Sequence, residues 1–329
     1  MRIPILYIMC GLPASGKTTK AKEIVAEEGA EYVSSDEIRK ELYGDESCQS
    51  DNQKVFEHYY KRMNQYLSEG KDVVIDSTNV TLKSRKRILS ECKVDCIKLV
   101  YIINTPIEIC YENDLKRERH VGKEVIDKFW KNFQCPQSFE GFDSIVIIQN
   151  NHEKNFDKDF FEETIKKMND FDQKNPHHKF TLGEHCLITK KLLEKMINNT
   201  DSFYEKRLFF TEKVKKSVCY AALIHDVGKM FFQSFDKDGV AHYYNHANIG
   251  TYYLVSHMSE FLDSIDKDCF QYVSYILFLV NYHMLAHEIH TEKAINKYKN
   301  LFGEDLFNLL MKFQKCDSLA SGTAGEIDL

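Results

Sequence analysis

The run Gly11-Leu-Pro-Ala-Ser-Gly16-Lys17-Thr18 follows the apolar stretch Ile3 to Met9 and precedes the helix-period stretch Thr18 to Ala26. A glycine-rich turn between a strand and a helix lets successive backbone N–H groups converge on phosphate, where the helix N-terminus also favours negative charge. Gly11 and Gly16 permit backbone angles and close approaches that a side chain obstructs. Lys17 is then positioned to reach the β- and γ-phosphates and Thr18 to ligate Mg²⁺, with Ala14, Ser15, Gly16 and Thr19 completing the cradle. The expected ligand is ATP or another nucleoside triphosphate with magnesium.

Further apolar runs at Tyr32 to Ser34, Asp72 to Ile75, Ile97 to Ile103 and Ser144 to Ile148 alternate with charged segments of helical period. This alternation predicts βα units around a parallel sheet, with ligands at the carboxyl ends of the strands. Two of those ends carry acids, in Ser35-Asp36-Glu37-Ile38-Arg39 and Asp76-Ser77-Thr78-Asn79. Phosphoryl transfer to a hydroxyl needs a carboxylate beside the acceptor oxygen, a metal, and cations around the transferred group. Asp36 is the candidate base, Arg39 lies one helical turn on, and Asp76 is suited to orienting magnesium-bound water. Ser-Ser-Asp is equally a helix-capping signal, which is the competing reading of Asp36.

Two basic clusters remain, Lys83-Ser84-Arg85-Lys86-Arg87 and Lys116-Arg117-Glu118-Arg119-His120. The first is the best local footprint for the phosphates of an acceptor. The second suits a lid over the nucleotide or, alternatively, a solvated helix face. Together the segments GLPASGKTT, SSDEIRKELYG, VVIDSTNVTLKSRKR and NDLKRERHVGKEVI resemble the polynucleotide kinase branch of P-loop kinases over residues 1 to 150. The resemblance implies that Asp36 is the base for a 5′-hydroxyl, that Arg39 assists transfer, that Arg117 and Arg119 are lid arginines on the donor phosphates, and that Arg85 contacts the acceptor.

Past residue 175 the chemistry changes. Of thirteen histidines only His58 and His120 precede residue 150. Cys186 to Met196, Val214 to Ile224, Ile249 to Met258 and Phe270 to Leu279 have helical apolar spacing, which predicts an all-helical region. His225-Asp226 ends one such helix, with Gly228 expected to stop or bend it and Lys229 available to a substrate phosphate. His185, His246, His283 and Asp317 supply further imidazole and carboxylate donors, a set suited to a divalent transition metal rather than calcium or magnesium. The segments NPHHKFTLGEH, ALIHDVGK and NHANIGT resemble the HD phosphohydrolase superfamily over about residues 175 to 320. The resemblance implies ligation by His185, His225, Asp226 and Asp317, with His246 and His283 fitting a second ion. Mn, Ni, Co or Fe are the expected metals. His287 is expected at the exposed surface.

The fold expectation is therefore an α/β P-loop kinase domain at 1–150, a linker at 151–174 with a short helix around Phe160 to Met168, and an all-α HD domain at 175–329. A chain of 329 residues, 43% hydrophobic and 29% charged, is long enough for two cores. A net charge of −6 excludes a generally basic surface, so contact with nucleic acid must be local. No window offers the roughly 18 apolar residues of a membrane span, and Met1 to Cys10 is too short for a signal peptide. With ten cysteines in no paired framework beyond Cys92 and Cys96, a cytoplasmic protein with no membrane partner is expected. The combined expectation is a nucleic-acid end-healing enzyme acting on RNA or DNA ends. It would phosphorylate 5′-hydroxyls and process 2′,3′-cyclic or terminal phosphates. The alternatives are a small-molecule or nucleoside kinase fused to a nucleotide phosphohydrolase, and a nucleotide-sensing regulator.

Overall fold

The structure, a computed structural model, describes residues 2–149, 159–175, 179–198, 211–267 and 272–321. The chain divides into two compact units, Met1–Glu153 and Lys154–Leu329.

In the first unit five parallel strands form one sheet in the order β2-β3-β1-β4-β5, with β1 Ile5–Cys10, β2 Glu31–Ser34, β3 Val73–Asp76, β4 Ile97–Asn104 and β5 Ser144–Gln149. Each coincides with one of the apolar runs. The central strand β1 pairs in register with both neighbours, Leu6 with Val73 and Cys10 with Ile102. A strand paired on both edges and covered on both faces must be apolar throughout, and Leu6 to Cys10 are all buried. The intervening helices are α1 Lys17–Glu28, α2 Ser35–Tyr43, α3 Asn52–Ser68, α4 Leu82–Glu91, α5 Ile107–Lys116 and α6 Lys123–Lys131. Helix α3 buries Val55, Tyr59, Tyr60, Met63 and Leu67 at helical spacing. This is the P-loop kinase fold, with β1, β2 and β3 delivering the P-loop, Asp36 and Asp76 from their carboxyl ends.

The second unit is helical apart from a two-stranded antiparallel hairpin, Ser234–Phe235 with Ala241–His242, which the helical reading omitted. Its central helix, Val273–Ala286, is buried at every residue from Ile276 to His283. It packs against helices Glu212–Ile224, His246–Ser256 and Glu304–Ala320. The expected linker 151–174 needs correction within its described part. Helix Phe160–Asn169 packs on helices Leu182–Asn198 and Met258–Ser264, and its Phe160 ring stacks on His257. Its apolar face therefore belongs to the core of the second unit. Residues 150–158, Phe270 of the predicted fourth helix, His177 and His178 lie outside the described residues.

Among the described residues no helix is long and apolar enough to cross a membrane. The described cysteines are free, and Cys10, Cys96, Cys110, Cys135, Cys186 and Cys316 are buried.

Candidate functional site

In the first unit the carboxyl ends of the strands open into a cleft of about 1120 Å³. Gly11 leaves β1 with its N–H bonded to the carbonyl of Thr78, and a β-carbon there would meet Ser15 Oγ at 3.0 Å and the Ile103 carbonyl at 3.1 Å. A side chain at that position would therefore crowd both Ser15 and the β4 backbone. Ala14 takes a left-handed backbone, φ 61°, and its carbonyl accepts from Asn113 Nδ2. Ser15 is buried with its carbonyl bonded to Thr105 Oγ1, while Gly16 caps α1 with no side-chain acceptor for the first-turn N–H groups. Those amides face the cleft beside Lys17, Thr18 and Thr19, as an anion site at a helix N-terminus requires.

Lys17 is buried, and its Nζ donates to the Leu12 carbonyl at 2.6 Å. Burial depresses its pKa, with Asp76 the chief opposing influence. Asp76 Oδ2 accepts from Thr18 Oγ1 at 2.7 Å and from the Tyr32 hydroxyl at 2.8 Å, which brings two expected magnesium-side groups together. Asp36 is not the helix cap. Ser34 is, its Oγ accepting from the N–H groups of Asp36 and Glu37. The Asp36 carboxylate is thus left half-exposed in the cleft and pairs with Arg39 Nη1 at 2.6 Å. Arg39 is itself 7% exposed and donates from Nη2 to Asn52 Oδ1 at 3.1 Å.

Arg117 and Arg119 both line the cleft. Arg119 lies 3.0 Å from Glu46 and 3.6 Å from Asp36, so the arginine-bearing segment reaches the Asp36 carboxylate. Arg117 pairs with Asp114, whose buried carboxylate also accepts from the N–H groups of Val121 and Gly122. Asp114 therefore ties the arginine-bearing turn together. Sequence reasoning missed it because, among alternating charges, a buried acid looks like its solvated neighbours.

Arg85, expected on the acceptor side, is turned into the core and does not line the cleft. Its side chain is fully buried, with Nε and Nη2 each 2.8 Å from the Glu140 carboxylate and Nη1 donating to the Asn79 carbonyl. Helix α4 turns Arg85 inward with Ile88, leaving Lys83, Lys86 and Arg87 exposed.

In the second unit six residues from five segments converge: His185 from helix Leu182–Asn198, His225 and Asp226 just past helix Glu212–Ile224, His246 at the start of its helix, His283 from the central helix, and Asp317 from helix Glu304–Ala320. Asp317 lies within this last helix. Three donor groups have ligand atoms within 4.8 Å of one another: His185, His225 and Asp317; Asp226, His246 and His283; and Cys186, His225 and Asp226, of which the first two contain only imidazole and carboxylate donors. Asp226 joins those two. Its Oδ1 is 3.0 Å from His246 Nε2 and 3.4 Å from His283 Nε2, while its Oδ2 is 3.5 Å from His185 Nε2 and 3.6 Å from His225 Nε2. The Nδ1 atoms of His225, His246 and His283 sit 2.7 to 2.9 Å from the carbonyls of Ala222, Tyr243 and Val280, which orients their Nε2 atoms inward.

Burial pushes the His283 pKa down to about 4, favouring the neutral, ligating imidazole. Against burial, Lys229 and His225 hold the Asp226 carboxyl well below its ordinary range, and His225 and His185 do the same for Asp317. Also against burial, Cys186 and the two carboxylates raise His225 well above its ordinary value. The clustered imidazole and carboxylate donors are chemically suited to a divalent transition ion.

Lys229 Nζ lies 2.6 Å from Asp226 Oδ2 and 3.1 Å from Gln173 Oε1. His287 departs from its expected exposed position, being half-buried with Nε2 3.4 Å from Asp317 Oδ2. Its spacing four residues after His283 was the available signal. Gly228 does not break the helix, which already ends at Ile224. A β-carbon on Gly228 would lie 1.9 Å from the His246 carbonyl, so the glycine allows the two ligand-bearing segments to touch.

Residues 6–136 match the family model described as AAA domain. The chain is 27% identical over 153 residues to the bifunctional polynucleotide phosphatase/kinase of Schizosaccharomyces pombe, a match covering 44% of this chain and 33% of that protein. It thus spans about a third of the length of the curated relatives it matches. Among solved structures it is similar to a chain of a Pnkp1/Rnl/Hen1 RNA repair complex, with 22% identity, TM-score 0.37, and coverage of 39% of this chain and 43% of that one. It is also similar to a gluconokinase from Sinorhizobium meliloti 1021, with 14% identity, TM-score 0.34, and coverage of 46% and 86%.

Proposed function

We propose that the chain is a two-site enzyme of nucleic-acid ends. Its first unit transfers the γ-phosphate of a nucleoside triphosphate to a 5′-hydroxyl of RNA or DNA, and its second unit hydrolyses 2′,3′-cyclic or terminal phosphate at the other kind of end. The observation that carries the reading is one cleft lined by both the phosphate cradle, Lys17 and Thr18, and the Asp36–Arg39 pair. A triphosphate-binding protein that transfers nothing has no need of the second pair.

In the transfer, the acceptor oxygen forms a bond to the γ-phosphorus, the bond from that phosphorus to the β,γ-bridging oxygen breaks, and the acceptor proton passes to Asp36. Lys17, Arg39 and the Arg117–Arg119 segment hold the negative charge of the phosphoryl group, and the P-loop amides orient the donor. Thr18 and Asp76, already paired at 2.7 Å, would hold magnesium, which would supply positive charge to the donor phosphates.

In the second unit the donor sets around Asp226 are suited to two divalent ions. Such ions supply Lewis-acid polarisation of a phosphoryl oxygen and acidify water. Lys229, paired with Asp226 Oδ2 at 2.6 Å, fixes the direction of that carboxylate and would offer positive charge to a substrate phosphate.

Incubation of the full chain with labelled ATP and 5′-hydroxyl RNA, DNA or nucleosides tests the first activity. Label on oligonucleotide ends supports the reading, and transfer to nucleosides alone overturns it. For the second unit, hydrolysis of 2′,3′-cyclic phosphate ends with Mn²⁺, Ni²⁺ or Co²⁺ is expected and should disappear in Asp226→Ala.

A further inference from the structure

With Arg85 withdrawn into the core, the acceptor side of the kinase cleft lacks an assigned contact. Helix α3 supplies one. Asn52, which accepts from Arg39, is followed one turn later by Phe56, a half-buried phenylalanine that lines the same cleft as Asp36, Arg39 and Ser77. Phosphate handling gives no role to an apolar ring among carboxylates and cations, and a polyol acceptor would be met by hydrogen-bonding groups. The flat face of a nucleobase does match it.

We propose that Phe56 is the platform on which the 5′-terminal nucleobase of the acceptor stacks, setting its 5′-hydroxyl against Asp36. The proposal rests on the kinase reading above and specifies its acceptor as a base-bearing end. The ring is held for this task. It packs edge-on against Tyr59, centroids 5.6 Å apart, and stacks with Tyr60 at 6.0 Å and 30°. Tyr59 is fully buried and Tyr60 nearly so, so little rotamer freedom remains to be lost on binding. Beyond Tyr60 the exposed Arg87 places its guanidinium 5.4 Å from that ring, so a solvent-facing cation lies beside the aromatic cluster that carries Phe56, the pairing of ring for base and cation for phosphate that meets single-stranded nucleic acid.

The test uses the full chain at saturating ATP with a 5′-hydroxyl oligonucleotide and its counterpart lacking the 5′-terminal base, with wild type, Phe56→Ala and Phe56→Trp. Loss of a base–aromatic stack corresponds to about a 5- to 150-fold loss of affinity. Wild type is expected to lose kcat/KM by a factor in that range when the base is removed, mainly through KM. Phe56→Ala should show a similar loss on the normal acceptor and no further loss on the base-less one, while Phe56→Trp should restore discrimination. Equal losses on both acceptors, or undiminished discrimination in Phe56→Ala, would overturn the proposal. So would a change in the KM for ATP with the acceptor KM unmoved, because the ring would then serve the donor base. A wild-type protein that phosphorylates neither oligonucleotide refutes the kinase reading itself, which separates the two failures.

Discussion

Arg85 and Glu140 form a two-pronged ion pair with both side chains fully buried. The pair joins α4 to the segment that precedes β5, and the Arg85 Nη1 bond to the Asn79 carbonyl extends it to the loop after β3. Removing one partner strands the other charge without solvent, which costs about 3–5 kcal/mol.

Arg85→Ala is accordingly expected to lower the melting temperature of the first unit by on the order of 10 °C. Differential scanning calorimetry checks this. The double variant Arg85→Met with Glu140→Leu should recover much of the loss, since no unpaired charge remains. A variant of normal stability that only weakened acceptor binding would return Arg85 to the surface role suggested by its sequence neighbours.

Asp36→Asn keeps the size of the side chain and its place beside Arg39 but removes the proton acceptor. Its kcat for phosphoryl transfer should fall by about 10²- to 10⁴-fold, with little change in the KM for ATP. Steady-state kinetics with a 5′-hydroxyl acceptor provide the measurement. A large rise in the ATP KM would instead assign Asp36 to the donor.

The two oxygens of Asp226 face different histidine pairs, so its removal should empty both donor sets. After loading with Mn²⁺ and desalting, the full chain is expected to retain about two ions and Asp226→Ala close to none. His246→Ala should lose about one, because His185, His225 and Asp317 do not depend on it. Metal content per chain by atomic emission distinguishes these outcomes, and equal loss in both variants would argue against two separable sets.

Gly228→Ala introduces a methyl group 1.9 Å from the His246 carbonyl. The neighbour is backbone, so no side chain can swing aside. The second unit should lose about 1–3 kcal/mol or more, read as a lower denaturation midpoint, and hydrolysis should weaken together with metal retention. A fully stable variant with normal metal content would refute this close contact.

The sheet was legible to within about two residues at each strand end because buried parallel strands carry predominantly apolar runs, as in Ile3 to Met9 and Ile97 to Ile103. The P-loop was legible for a related reason: Gly11 and Gly16 serve a backbone geometry in which side chains obstruct. The clustered histidines and aspartates were named together through the resemblance of their motifs, and His225, Asp226 and His246 fall at helix ends, where neighbouring segments meet. His287, Asp114 and Phe56 were not legible, since a half-buried histidine, a buried acid and a cleft-lining ring have the same local sequence character as ordinary surface or core positions.

Local sequence by itself determined where strands, helices and phosphate-binding turn lie, because these depend on periodicity and on backbone freedom within a few residues. Tertiary structure alone decided which charges work in solvent and which hold the core. Arg85 and Arg87 are near-identical in sequence context, yet the inward phase of α4 and a carboxylate 55 positions away bury the first, while the second stays exposed over Tyr60. Burial and partnership are set by distant contacts, and so is the direction in which each oxygen of Asp226 points.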